Sequence, residues 1–241
     1  MKKDKLVIIP TYNELENIRD IALAIMALDG EFELLVIDDN SPDGTAVEVK
    51  KLQKEFPERI HLLQRKGKLG LGTAYLEGFR YALMSGYQYI FEMDADFSHN
   101  PKEILRNLKF FKDKKLDLLI ASRYMKKIKI INWNINRKIL SRLSNILAKF
   151  LLRIKVTDYT NGFRFYSVKS AKKVIKDCGR VGDGFIVLSE ILMVINSNNF
   201  KIGEIESVFV NRNRGESTVN LKLVIYSFFG LLKLFLIKMK L

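Results

Sequence analysis

From Lys5 to Ser122 the chain alternates short apolar runs with longer stretches whose apolar residues recur at helical spacing. No other feature limits the fold as much. Lys5–Ile9, Glu33–Asp38, Ile60–Gln64, Tyr89–Met93 and Leu116–Ser122 have strand length, whereas Asn13–Ala27, Thr45–Phe56 and Gly72–Ser85 carry a helical period. Strand followed by helix, repeated, predicts an α/β fold. Parallel strands cannot be joined by tight turns, so helices cross over and cover both faces of the sheet. Ligands of such sheets gather at the carboxyl ends of the strands.

Those ends are polar here. The first strand runs into Pro10-Thr11-Tyr12-Asn13-Glu14 and the second into Asp38-Asp39-Asn40-Ser41-Pro42-Asp43-Gly44-Thr45. The third meets Arg65-Lys66-Gly67-Lys68-Leu69-Gly70-Leu71-Gly72, and the fourth meets Asp94-Ala95-Asp96. Any one of these loops reads equally well as ordinary turn and cap chemistry. Four together describe one polar crevice. The glycine-rich segment matches neither a P-loop nor a dinucleotide fingerprint.

Charge narrows the ligand. Lys and Arg number 41 against 27 Asp and Glu, a formal charge of +14, which favours an anionic partner: nucleic acid, anionic membrane or a phosphorylated small molecule. No nucleic-acid motif is present, and the aromatics sit in apolar runs rather than among arginines. The single cysteine, Cys178, suits a reducing compartment and reads as filler rather than nucleophile. The first residues enter a strand at once and leave no room for a signal peptide.

The loop residues resemble a known family. PTYNE, DDNSPDGT, GLGTAY and DAD, in that order, resemble the GT-A inverting glycosyltransferases of family 2. Trp133-x3-Arg137-x3-Ser141-Arg142-x2-Asn145, Asp158-Tyr-Thr160-Asn-Gly162-Phe163-Arg164 and Arg212-x2-Gly215-Glu216-Ser217 look like the dolichyl-phosphate mannose synthases and related polyprenyl-phosphate glycosyltransferases. The resemblance implies a Rossmann-like GT-A fold with a mixed, mainly parallel sheet. It also implies transfer of a hexose, mannose from GDP-mannose first and a UDP-sugar such as UDP-glucose as the alternative, to dolichyl or another polyprenyl phosphate with inversion. A leaving diphosphate needs its charge neutralised, and Mg²⁺ or Mn²⁺ on one or two carboxylates does that. Asp94 and Asp96 fit, Asp96 most directly by resemblance, and Ser98 stands where the family often has a further, glutamine ligand. By the same resemblance Pro10, Tyr12, Glu14, Ile37, Asp39, Asp94, Ala95, Asp96 and Arg123 line the nucleotide-sugar site, Asp94, Asp96 and Arg123 being the catalytic residues, and Arg212 reaches the diphosphate. Thr218 replaces a lysine that family members carry, and Glu190 either holds nearby arginines or is a surface residue.

The acceptor side is basic. The forty residues between Asp117 and Asp158 hold no acid and ten Lys or Arg. Arg137 and Ser141 fall one turn apart on a predicted helix. With Arg123, they match the family's acceptor-phosphate residues. A phosphate monoester is already ionised near neutral pH, so no general base is nominated. The predicted catalytic domain spans 1–218. In 219–241 only Leu223–Leu232 is free of charge, short of the roughly 20 residues that span a bilayer. An amphipathic helix lying on an anionic membrane, on its cytoplasmic face, fits better. A chain of this kind is then peripheral by itself, relies on a membrane-protein partner, or is part of something longer. A nucleic-acid module and a non-catalytic membrane adaptor are the rival classes.

Overall fold

The computed structural model describes residues 4–125, 130–133, 135–182, 184–211, 214 and 221–239. Strands β1 (Lys5–Thr11), β2 (Glu33–Asp38), β3 (Ile60–Gln64) and β4 (Tyr89–Glu92) are parallel, with β1 between β2 and β4. Their near-continuous apolar character follows from burial on both faces. Leu6 and Ile8 point into one core and Val7 and Ile9 into the other, as the pleat requires.

Helices α1 (Leu15–Met26), α2 (Thr45–Glu55) and α4 (Glu103–Asp113) cover the Val7 face. The opposite face is covered by α3 (Leu71–Met84), α5 (Ile135–Leu152), α6 (Val168–Asp177), α7 (Ile186–Ser197) and α8 (Leu221–Lys238). The fold is the mixed, mainly parallel α/β sheet expected, with strand and helix bounds shifted by a few residues at most.

The second half adds what periodicity did not show. β5 (Leu118–Ser122) does not lie beside β4; β7 (Arg164–Ser167) sits between them, antiparallel to both, and β8 (Ile202–Glu206) closes the edge parallel to β5. Because β7 runs backwards with Glu92 opposite Arg164, the residues that precede it, Gly162 and Phe163, lie beside those that follow β4. The antiparallel strand thus delivers the Asp158–Gly162 loop to the carboxyl ends. A small parallel pair, β6 (Ile130–Ile131) with β9 (Phe209–Val210), stands over the same end.

Candidate active site

The first two strand ends brace each other. Asp38 accepts from the Thr11 hydroxyl (2.9 Å) and from the amide and hydroxyl of Ser41, whose oxygen in turn accepts from the Asn13 amide. Asp43 accepts from the amides of Leu15 and Thr45, and the Thr45 hydroxyl accepts from the Glu14 amide. Much of the polar loop chemistry is therefore scaffolding. Pro10 lies opposite Ile37 in the ladder, and the Ile37 side chain is fully buried in the core, so only its backbone is available to the crevice.

Asp39 is held from the glycine-rich loop. Its carboxylate pairs with Arg65 and accepts from the amides of Leu69 (3.1 Å) and Gly70. Arg65 also donates to the Gly70 carbonyl, so the loop closes over Asp39 as a backbone clamp. The Lys68 ammonium lies 4.1 Å from the centre of the Tyr12 ring, and Glu14 accepts from Asn17 at the start of α1. Tyr12, Glu14, Asp39 and Lys68 thereby share one side of the crevice.

Beyond β4, Asp96 accepts from the Ser98 amide (3.0 Å). Ala95 and Ser98 are buried, and the Ser98 hydroxyl has no partner among the described residues. A Cβ on Gly162 would lie 3.5 and 3.9 Å from the two Asp94 oxygens and 3.2 Å from the Tyr75 hydroxyl. Only glycine leaves that space beside Asp94 open. Among the described residues no group of three or more His, Cys, Asp or Glu could hold a metal alone. Two hard carboxylates and an orphaned hydroxyl suit an Mg²⁺- or Mn²⁺-like ion that takes its other ligands from phosphate. Beneath them Glu92 is fully buried, and burial pushes its carboxyl up to about 8 against the pull of Arg164, while the Tyr166 hydroxyl donates to it.

Across the crevice Arg123 is buried and forked onto Asp158: Nε and Nη2 each donate at 2.7 Å, and Nη2 also reaches Thr160. Burial alone would lower the Arg123 pKa, but the charge of Asp158 raises it; burial would raise Asp158, and Arg123 lowers it. Asp158 is placed in turn by Glu204, which accepts from the amides of Thr157 and Asp158 and from the Thr157 hydroxyl. Arg137 lies 4.3 Å over the Trp133 ring and donates to Asn211; Ser141 accepts from the Tyr124 hydroxyl (2.7 Å). The structure thus brings Arg123, Arg137 and Ser141 together through shared aromatic neighbours, Trp133 and Tyr124. Arg212 and Thr218 lie outside the described residues.

Two positioning residues, Asp158 and Glu204, are given no role by the sequence. Asp158 carried a signal, being the first acid after forty acid-free residues; Glu204 carried none. Glu190 is not a surface residue: it is buried and accepts from the amides of Gly179 and Arg180, holding Arg180 by its backbone and fixing the loop before α7. His99, in the loop between β4 and α4, is fully buried between the rings of Phe163 (5.0 Å) and Phe209 (5.1 Å).

Burial, then the charge of Arg123, lowers the His99 pKa to about 4. A depressed histidine folds neutral, so its stabilising share is complete above the unfolded value near 6.5 and is lost as pH falls toward 4. Between about pH 7.5 and pH 5 the wild type is expected to lose about 2 kcal/mol that His99→Gln does not lose. Urea midpoints of both proteins at the two pH values check this; equal losses would refute it.

The sequence profile described as Glycosyl transferase family 2 matches residues 6–175. Over 216 residues the chain is 38% identical to the polyprenol monophosphomannose synthase of Mycolicibacterium smegmatis, covering 89% of this chain and 80% of that protein. It is 35% identical over 218 residues to the undecaprenyl-phosphate mannosyltransferase of Micrococcus luteus, covering 89% and 87%. Among solved structures, glucosyl-3-phosphoglycerate synthase from Mycobacterium tuberculosis, in complex with Mn²⁺, UDP and glucosyl-3-phosphoglycerate, superposes with a TM-score of 0.68 at 16% identity, covering 98% of this chain and 80% of that one. A likeness at that identity speaks for the fold. With a matched profile over most of the sheet and two relatives above 30% identity, the chain belongs to glycosyl transferase family 2.

Proposed function

We propose that the protein transfers a hexose, mannose from GDP-mannose, to the phosphate of a polyprenyl lipid with inversion at the anomeric carbon. The observation that carries this is the opposition of two kinds of charge at one end of the sheet. Asp94 and Asp96 offer hard anionic oxygens on one side, and Arg123, Arg137 and the Ser141 hydroxyl offer donors on the other. Relatives named for polyprenol and undecaprenyl-phosphate mannosylation support the acceptor and the sugar. A mannosyltransferase from Pyrobaculum calidifontis, solved with GDP-mannose and Mn²⁺, shares the fold with a TM-score of 0.61 at 17% identity, covering 89% of this chain and 59% of that one.

A divalent cation, Mg²⁺ or Mn²⁺, would be held by Asp94 and Asp96, with Ser98 as a further oxygen, and would neutralise the leaving diphosphate. The rest falls to the chain's own groups. Tyr12, Glu14 and Asp39 take the nucleoside end, with Pro10, Ile37 and Ala95 shaping the floor; Arg212, outside the described residues, is assigned to the diphosphate by the family resemblance alone. Arg137 and Ser141 hold the acceptor phosphate, and Arg123, fixed by Asp158, stands beside the line of attack. An acceptor oxygen forms the new bond to C1, the C1–diphosphate bond breaks, and nucleoside diphosphate departs. No proton has to move. Alignment and charge complementarity supply the rate.

No helix among the described residues is long and apolar enough to cross a membrane. The outer face of α5 nevertheless exposes Ile135, Ile139, Leu143, Ile146 and Phe150 at three- and four-residue spacing, and α8 exposes Tyr226, Phe229 and Leu236. We infer that these faces lie in the headgroup region at the cytoplasmic side of a membrane, with Arg137 and Ser141 one turn from the lipid.

Arg137→Ala tests the acceptor assignment. A charged hydrogen bond to a desolvated phosphate is worth on the order of 2–5 kcal/mol, so acceptor-side kcat/KM should fall about thirtyfold or more. GDP-mannose affinity, read by calorimetry, should stay within about twofold, because Arg137 approaches the acceptor alone. A fall in donor affinity with normal acceptor kinetics would overturn the assignment.

A further inference from the structure

Beside the acceptor residues lies a separate cleft of about 250 Å³. It is lined by Tyr124, Arg142, Asn145, Ile146, Lys149 and Thr157, between the flank of α5 and the chain just before Asp158. Arg142 and Lys149 are two helical turns apart and both exposed. Among the described residues neither has an ion-pair partner, so both charges are open to an anion. Across from them the wall is neutral: the Thr157 hydroxyl is shared between Glu204 and Ser122, and Asn145 is spent on the Ser141 carbonyl and the Tyr159 amide. Glu204, the acid behind that wall, already accepts from Thr157 and Asp158. Two uncompensated cations therefore face a pocket with no competing carboxylate on its surface.

The cleft opens beside the apolar stripe. Ile146 belongs to both, lining the pocket and standing exposed between Leu143 and Phe150. With the stripe in the acyl boundary, Arg142 and Lys149 stand at headgroup height. We propose that this cleft binds the phosphate of an anionic phospholipid headgroup, a site distinct from the acceptor site at Arg137 and Ser141. Such a lipid would fix how the domain sits on the membrane, and with it the direction in which Arg137 meets the surface. The proposal rests on the peripheral-membrane reading above.

The test uses the full chain with vesicles of phosphatidylcholine, with and without phosphatidylglycerol. Arg142→Gln/Lys149→Gln is expected to weaken partition onto anionic vesicles clearly beyond the roughly thirtyfold that diffuse attraction gives at about 1 kcal/mol for each basic side chain. Partition onto neutral vesicles should be unchanged. The control pair Arg153→Gln/Lys155→Gln removes the same charge just beyond the helix end and should lose no more than that roughly thirtyfold. Equal losses in the two pairs would mean diffuse attraction and overturn the site, as would no loss in the first pair. Free glycerol phosphate that bound the cleft as tightly as the vesicles do would assign it to a soluble ligand, which also overturns the proposal. Transfer to a short, water-soluble polyprenyl phosphate is measured in parallel. Its absence in the wild type sinks the acceptor reading and leaves the vesicle result standing, so the two failures are told apart.

Discussion

Asp96→Asn lowers sugar transfer about a thousandfold or more at any concentration of Mg²⁺ or Mn²⁺, because a bound cation supplies several kcal/mol to a departing diphosphate. The substitution is close to isosteric. The side-chain oxygen of asparagine can still accept from the Ser98 amide, the bond that sets the loop at 3.0 Å in the wild type. The loop and the melting temperature should therefore survive, and what is lost is the charge that draws the cation. Radiolabelled sugar transfer across a metal titration, with thermal denaturation alongside, measures both. Asp94→Asn should be severe as well. Ser98→Ala should cost less than about tenfold, since a neutral hydroxyl is a minor oxygen ligand beside two carboxylates. Full wild-type turnover in excess chelator would remove the cation from the proposal.

The first half of the chain could be read because each element there is local. A buried parallel strand is a continuous apolar run, a crossover helix has its own period, and the residues between them fall at the ligand-binding edge by topology alone. That is why Asp39, Asp94 and Asp96 could be placed before any coordinates. The second half depends on contacts across long separations. β7 pairs with strands about 45 and 75 residues before it, and its four residues, Arg164–Ser167, have no period that separates them from a loop.

Residues whose work is to hold another residue are the least legible. Asp38 and Asp39 are adjacent and chemically identical, yet one ties β1 to β2 while the other is clamped by Arg65 and the glycine-rich loop. Glu204 supports Asp158 from 46 residues away, and nothing in its neighbourhood distinguishes it from a surface acid. His99 lies in a loop, and what the sequence does not show is its burial. Its partners are the rings of Phe163 and Phe209, from the two flanks of the site, so a polar loop residue becomes the filling between them. The apolar stripe of α5 was hidden by composition: the same segment is rich in Lys and Arg, and only the helix separates the charged flank from the apolar face.

The C-terminal helix should divide cleanly into two functions by face. Leu231 and Leu234 belong to the core cluster beneath α5 and α7, and Leu234 is completely buried. A Cβ on Gly230 would come within 2.8 Å of Ile186 Cγ1, so α8 seats against the start of α7 at a distance that only glycine permits. Lys233 donates to the Arg180 carbonyl (2.7 Å) and Lys238 to the Leu152 carbonyl, joining the helix to the loop that Glu190 fixes and to the end of α5. Leu234→Ala should therefore cost about 2–5 kcal/mol of unfolding free energy, as a buried leucine truncated in a packed core does. Removing residues 223–241 strips the whole inner face and is expected to leave a protein that aggregates or melts far below the full chain. Phe229, with 62% of its surface exposed, lies on the other face. Phe229→Ser should leave stability within about 0.5 kcal/mol while weakening vesicle partition about tenfold, the scale of one aromatic ring withdrawn from a membrane interface. Chemical denaturation and vesicle co-sedimentation of both variants read the two faces separately. If Leu234→Ala kept the wild-type midpoint, α8 would be an appendage; if Phe229→Ser sedimented unchanged, its outer face would not be what touches lipid.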